Sequence, residues 1–222
     1  MYQSIARYYD LIFPVDENKV SFLKHHFRSL KTILDVGCAT GGYVQRLSGE
    51  GFICSGIDID FEMIKIAKEK YPNLDFKQKS MLELGDEKYD GIYCIGNTLV
   101  HVEEVEKVIN LMHKSLNKNG ILIIQILNYD RILKNKIKSL PTINNCLTFT
   151  RNYEYDENKI IFKTEVTYEN IKIKNSTTLY PIKTSDIKNI LNKYFENVKL
   201  YHGFTDKPFN IEESFALVIV AN

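Results

Sequence analysis

Short apolar runs and stretches of helical periodicity alternate over the first two thirds of this chain. The runs at Thr32–Val36, 52–57, 74–76, 89–95 and 121–127 read as buried strands. Between them, Tyr43, Val44 and Leu47, then Met63, Ile64 and Ala67, recur at helical spacing, and residues 103–116 read as a further helix. A helix over 17–30 with Val20, Leu23 and Phe27 on one face precedes the first strand, and Ile5, Tyr8, Tyr9, Leu11 and Ile12 put another over 2–12, closed by Pro14. Five β-α repeats of this kind predict a parallel, doubly wound α/β sheet.

After Leu127 the period changes. Residues 147–155, 159–168 and 171–180 alternate apolar and polar positions and are separated by Asp156-Glu157-Asn158 and Glu169-Asn170, so they read as three antiparallel strands. A helix over 185–194 follows, and runs at 197–201 and 214–220 close the chain as an antiparallel pair. The expectation is one domain over 1–222: a seven-stranded, mostly parallel sheet, a helical N-terminal cover over 1–30, and a three-stranded antiparallel insertion over 142–181.

Composition narrows the partners. With 29 Lys+Arg against 28 Asp+Glu the formal charge is +1, which argues against a broad nucleic-acid footprint. The lysine clusters 134–138 and 172–174 fit a solvated face. No apolar run is long enough to span a membrane, and the N-terminus lacks a signal-peptide core. Cys38, Cys54, Cys94 and Cys146 have no metal-ligand spacing, so no metal is expected; three of them fall in or beside strands, as small apolar fillers in a reducing cytoplasm. Oligomeric state is left open.

The stretch Ile33-Leu34-Asp35-Val36-Gly37-Cys38-Ala39-Thr40-Gly41-Gly42 joins the first strand to a helix through a glycine-rich turn. Such a turn lets backbone approach a ligand and presents helix-end N–H groups to an anion. The second strand ends in Asp58, about 20 residues past the glycines, where an acid can hold a ribose. The turn reads G-x-x-x-G-G rather than G-x-G-x-x-G, and it resembles the D-x-G-x-G-x-G motif of class I S-adenosylmethionine-dependent methyltransferases. Ala39 stands at the middle glycine, which asks for a right-handed or extended backbone there.

That resemblance implies a Rossmann-like methyltransferase fold with S-adenosylmethionine as cofactor and S-adenosylhomocysteine as product. Asp35, Gly37, Cys38, Ala39, Gly41, Asp58, Ile59, Met63, Gly96 and Asn97 are the implied cofactor contacts, with Tyr9 reaching over from the cover. Ser80-Met81-Leu82-Glu83-Leu84 is similar to the family's G-D-M-L-x-L, with Ser80 in the place of the adenine-binding acid and the backbone near Met81 as a second contact.

Three further stretches resemble the glycine N-methyltransferase branch and related bacterial small-molecule methyltransferases. They are Cys94-Ile95-Gly96-Asn97-Thr98 with His101, Asn128-Tyr129-Asp130-Arg131-Ile132-Leu133, and Leu179-Tyr180-Pro181 with the later Gly203-Phe204 and Lys207-Pro208-Phe209. The implied reaction is methyl transfer to a small-molecule acceptor, at an amine nitrogen rather than at oxygen. Alternatives are an RNA or protein methyltransferase, or a non-catalytic cofactor-binding regulator. By the same resemblance Asn128 either hydrogen-bonds the acceptor or caps the helix expected over 129–138. His101 either serves as a base or packs beside a helix start, and Arg151 on the insertion either offers a guanidinium fork for an acceptor carboxylate or is a surface arginine without a role. Tyr129 fits core packing, while Tyr153, Tyr168 and Tyr180 would line a roof over the acceptor.

Overall fold

The computed structural model describes residues 5–85 and 87–222. Its main sheet contains β1 (Thr32–Val36), β2 (Ile53–Asp58), β3 (Asp75–Gln78), β4 (Tyr89–Cys94), β5 (Leu116–Leu127), and the late pair β10 (Val198–His202) and β11 (Ala216–Ala221). The order is β10-β11-β5-β4-β1-β2-β3. β1 to β5 run parallel, β11 pairs antiparallel with β5, and β10 pairs antiparallel with β11. Strand order reverses beside β1, so the carboxyl ends of β1 and β4 flank the crevice where such sheets bind ligands.

Alternation along the central strands explains why both faces are covered. Leu34 and Val36 of β1, Leu122, Ile124 and Ile126 of β5, and Leu217 and Ile219 of β11 join one core. Their neighbours Ile33, Ile123, Val218 and Val220 join the other. The first core is closed by α5 (Val105–Lys114) and α7 (Thr184–Leu191), through Val108, Ile109, Met112, Ile187 and Leu191. The second is closed by α2 (Glu17–Phe27), α3 (Gly42–Gly49) and α4 (Phe61–Lys70), through Leu23, Phe27, Val44, Leu47, Ile64 and Ala67. Cys38, Cys54 and Cys94 are buried in these layers and Cys146 is exposed.

The insertion is larger than the alternation alone indicates. It is a four-stranded antiparallel sheet, β6 (Ser139–Asn144), β7 (Thr148–Asp156), β8 (Lys159–Tyr168) and β9 (Ile171–Leu179), in sequence order. The unanticipated strand β6 carries Pro141 and a register shift between Leu140 and Ile143, so its sequence lacks the alternation of a regular strand. Proline is tolerated because β6 is an edge strand. The helix preceding β6, α6 (Tyr129–Lys134), is also shorter than expected. Lys136 turns left-handed at φ 47°, while Ile137 N–H donates to Ile132 O and Lys136 N–H to Leu133 O. This is a Schellman stop built without glycine, so no glycine marked it in the sequence.

The expected N-terminal helix over 2–12 is a 3-10 turn, Ala6–Tyr8, followed by one short α turn, α1 (Tyr9–Ile12); residues 2–4 of that expectation lie outside the described residues. Ile5 and Ile12 pack with Leu147, Phe149 and Val166 of the insertion, and Ala6 packs with Ala39 and Met63. The N-terminal segment therefore bridges the glycine turn and the inserted sheet. Among the described residues no helix is long and apolar enough to cross a membrane.

Candidate active site

β1 ends in the glycine turn, and the turn is held by the neighbouring strand. Gly37 N–H and Cys38 N–H both donate to Ile57 O, at 2.8 and 3.0 Å. Gly37 has φ +84°, and a Cβ there would meet the Thr98 side chain at 2.4 Å, so the turn and the β4 loop pack at a distance only glycine allows. Gly41, at φ +80°, is the N-cap of α3, and no side chain caps that helix start.

Ala39 also adopts a positive φ, 47°, where a right-handed or extended backbone was expected. Two neighbours hold it there. The Asp58 carboxylate accepts Ala39 N–H at 2.9 Å, and Ala39 packs with Met63 and Ala6. A left-handed alanine costs about 1–2 kcal/mol, which this contact must offset. Asp58 accepts a second hydrogen bond from Asp60 N–H at 2.9 Å. Burial raises its pKa, against the lowering effect of these backbone donors. Beside it Ile59 is 67% exposed, an apolar side chain left uncovered at the tip of β2. Met63 is buried at 1%, so it supports the turn from beneath.

Asp35, one strand pleat before the turn, is buried. Burial pushes its carboxyl up to about 8, with the Tyr93 hydroxyl beside it acting in the opposite sense and the Asp58 charge adding to the rise.

At the end of β3, Ser80 is an N-cap. Its hydroxyl accepts Leu82 N–H at 3.2 Å while Ser80 N–H donates to Glu83 at 2.9 Å. This capping box orients the turn Met81–Glu83, and Met81 and Leu82 lean on the core. Tyr9 packs toward Ala39 and Met63, with its ring 5.2 Å from Phe13. Tyr8 stacks instead on Tyr168 of the insertion at 5.3 Å.

The β4 loop is stapled to β5. Gly96 N–H donates to Gln125 Oε1 at 2.7 Å, Leu127 N–H donates to Asn97 Oδ1 at 3.0 Å, and Asn97 Nδ2 donates to the Tyr129 hydroxyl at 2.9 Å. Asn97 thus spends both ends of its amide on the scaffold, at a left-handed φ of 68°. Tyr129 is buried at 1%, so the packing role expected for it is joined by a polar one.

Asn128 is 1% exposed and its amide is committed. Oδ1 accepts Arg131 N–H at 3.1 Å as the N-cap of α6, and Nδ2 donates to Ile211 O at 2.8 Å and Ser214 O at 2.9 Å. Of the two readings open for this residue, the structure displays the cap, and the clasp on the 211–214 loop is an addition that depends on residues 83 and 86 positions away. His101 closes the 3-10 turn Thr98–His101, and burial lowers its pKa to about 4. At pH 7 it is neutral and a weak proton acceptor, which does not suit a general base.

The insertion lies over this end of the sheet. Tyr180 N–H donates to Val100 O at 2.8 Å, and Leu140, Tyr153, Ile160 and Leu179 share a core with Leu99, Val100, Leu127 and Tyr129. Arg151 sits on the inward face of β7 between buried Phe149 and Tyr153, with its guanidinium 5.8 Å from the Phe149 ring and Nη2 donating to Pro141 O at 2.6 Å. The outward face carries Lys163–Glu154 and the pairs of Lys172 and Lys174 with Glu165. The 172–174 lysines are therefore a solvated face. No group of three potential metal ligands exists among the described residues.

The glycine turn with its uncapped helix start suits the carboxylate end of an adenosyl amino acid, the acid at the next strand tip its ribose, and the uncovered apolar residue beside it its adenine. The sheet around this turn has the Rossmann-like methyltransferase fold. Residues 27–197 match the model of the methyltransferase domain family, and the chain belongs to that S-adenosylmethionine-dependent family. The glycine/sarcosine N-methyltransferase of Aphanothece halophytica is 26% identical over 200 residues, covering 84% of this chain and 74% of that one. A protein of Geobacillus sp. (strain WCH70) is 32% identical over 141 residues, covering 56% of this chain and 57% of that one. An S-adenosylmethionine-dependent methyltransferase from Clostridium acetobutylicum superposes with a TM-score of 0.86 at 14% identity, covering 100% of this chain and 98% of that one, which shows a shared fold.

Proposed function

We propose that this chain transfers a methyl group from S-adenosylmethionine to a small-molecule acceptor at an amine nitrogen. The observation that carries the reading is the roofed end of the sheet: the glycine turn, the Asn97–Tyr129 staple and the inward face of the insertion converge there, with Arg151 on the roof. A sulfonium methyl is already activated, so the protein's task is to place a nucleophile in line and exclude water. A lid anchored at Val100 on one side and at Ile5 and Ile12 on the other is built for exclusion.

In this reading Asp58, Ile59, Gly37, Cys38, Ala39, Gly41 and the backbone near Ser80 and Met81 hold the cofactor, with Gly96, Asn97, Met63 and Asp35 shaping its walls and Tyr9 covering it. Arg151 holds an acceptor carboxylate, its fork oriented by Pro141 O and the Phe149 face. Asn128 is a positioning residue that fixes the β5–α6 corner. His101, neutral at pH 7, donates or accepts a hydrogen bond and removes no proton. The amine therefore arrives unprotonated or loses its proton to water. The similarity to a glycine/sarcosine N-methyltransferase supports nitrogen and a carboxylate-bearing acceptor. We place the enzyme in the cytoplasm, acting without nucleic acid or membrane.

The test is S-adenosylhomocysteine production by the purified protein across small amines, amino acids, phenols and carboxylates, with transfer RNA as control. Turnover of an amino acid or related amine is expected. Turnover with phenols or transfer RNA alone sinks the amine assignment.

A further inference from the structure

The inward face of the inserted sheet is a ladder of cross-strand rungs. Tyr155–Ile160–Leu179 and Tyr153–Phe162–Thr177 lie at one end, and Phe149–Val166–Ile173 at the other. The first two join the core under β4 and β5, and the last joins the N-terminal segment. Between them runs one rung of different chemistry, Arg151–Thr164–Asn175, in register across β7, β8 and β9. It lies between the two anchorages of the roof, over the end of the sheet that holds the glycine turn.

Thr164 is 5% exposed, and among the described residues its hydroxyl has no hydrogen-bond partner. An unpaired hydroxyl is costly to bury, and valine would fill the same space and pack against the apolar rungs on either side. Such a group is retained at a stability cost when a ligand supplies the missing bond.

We infer that Thr164 is an acceptor-selecting residue: its hydroxyl hydrogen-bonds the oxygen-bearing end of the acceptor, and the Arg151–Thr164–Asn175 rung admits amines that carry such an end over amines that lack one. The assignment rests on the small-molecule amine reading above and deepens it. Arg151 contributes charge, while Thr164 and Asn175 contribute neutral hydrogen bonds that fix how an oxygen group lies across the roof. A bare amine offers the Thr164 hydroxyl no oxygen to bond, so that hydroxyl keeps its desolvation cost, and discrimination follows.

The experiment compares wild type, Thr164→Val and Thr164→Ser. Each is first saturated with S-adenosylhomocysteine by calorimetric titration, then titrated with glycine and sarcosine and with their carboxylate-free counterparts methylamine and dimethylamine. Wild type and Thr164→Ser are expected to prefer the carboxylate-bearing pair, and Thr164→Val to bind that pair about 5–10-fold more weakly. Binding of the bare amines is expected to be unchanged. Without ligands, Thr164→Val is expected to melt about 2–4 °C above wild type, because an unpaired buried hydroxyl is gone. A lower melting temperature in Thr164→Val, restored in Thr164→Ser, marks a structural hydroxyl and overturns the inference. Equal carboxylate binding in wild type and Thr164→Val, or no binding of any probe to wild type, overturns it as well. The first titration reads the cofactor site separately, and failure there strikes the methyltransferase reading instead.

Discussion

The parallel sheet and the inserted sheet are built by opposite routes. In the parallel sheet the polar groups at the site are tied to each other over short stretches: Asp58 to Ala39 and Asp60, Ser80 to Leu82 and Glu83. These bonds run within adjacent turns of the parallel sheet, so that end is braced without help from the insertion. In the inserted sheet the polar rung Arg151–Thr164–Asn175 is set among apolar rungs, and its Thr164 hydroxyl is left without a partner among the described residues. The difference teaches that a cofactor shared across a family is held by backbone and turn geometry, whereas an acceptor is chosen by side chains on a surface that can vary without disturbing that geometry.

Asn128 joins the two halves at the β5–α6 corner, and breaking it should do the most damage. Asn128→Ala removes a helix cap and strands the carbonyls of Ile211 and Ser214. The expected cost is about 3 kcal/mol, a fall in Tm of about 6–12 °C in a thermal melt. A shift under 2 °C would show that the corner does not depend on this amide. Asp58→Ala is expected to weaken S-adenosylhomocysteine about 100-fold in calorimetry, since a carboxylate that braces the turn is lost, while acceptor KM at saturating cofactor moves little. Arg151→Lys should do the converse, raising acceptor KM about tenfold with cofactor affinity held, because a point charge replaces a fork. If either variant moves both constants together, the division of labour between the sheets is wrong.

The smallest effect concerns pH. His101 has a folded pKa of about 4 against an ordinary 6.5. Between those values the unfolded chain binds a proton that the folded chain refuses, so stability falls as pH drops from 6.5 toward 4. The expected slope from this group is at most about 1.4 kcal/mol per pH unit. His101→Gln should flatten that part of the stability profile, measured by urea titration at pH 5 and pH 7. Its pH–rate curve should keep the wild-type shape, and loss of the acidic limb, the fall in rate at low pH, would restore His101 as a base.

Sequence by itself determined the parallel sheet, its flanking helices, the glycine turn and the position of Asp58. Each of these rests on spacing within a few residues or on one strand-to-strand step, and apolar periodicity records such steps directly. Tertiary structure alone decided the rest. It folded Ala39 into a left-handed turn because Asp58 and Met63 hold it there from two other elements. It added β6, whose pairing with β7 replaces the alternation its sequence lacks. It turned Asn128 into a clasp through partners more than 80 residues away, and it buried His101, which lowers the pKa of its ring. It also drew Arg151, Thr164 and Asn175, spread over 25 positions, into one rung on the face the insertion shares with buried Phe149 and Tyr153. Alternation says which residues share a face of a strand, but which residues stand opposite is set by register, and what that face looks upon is set by packing.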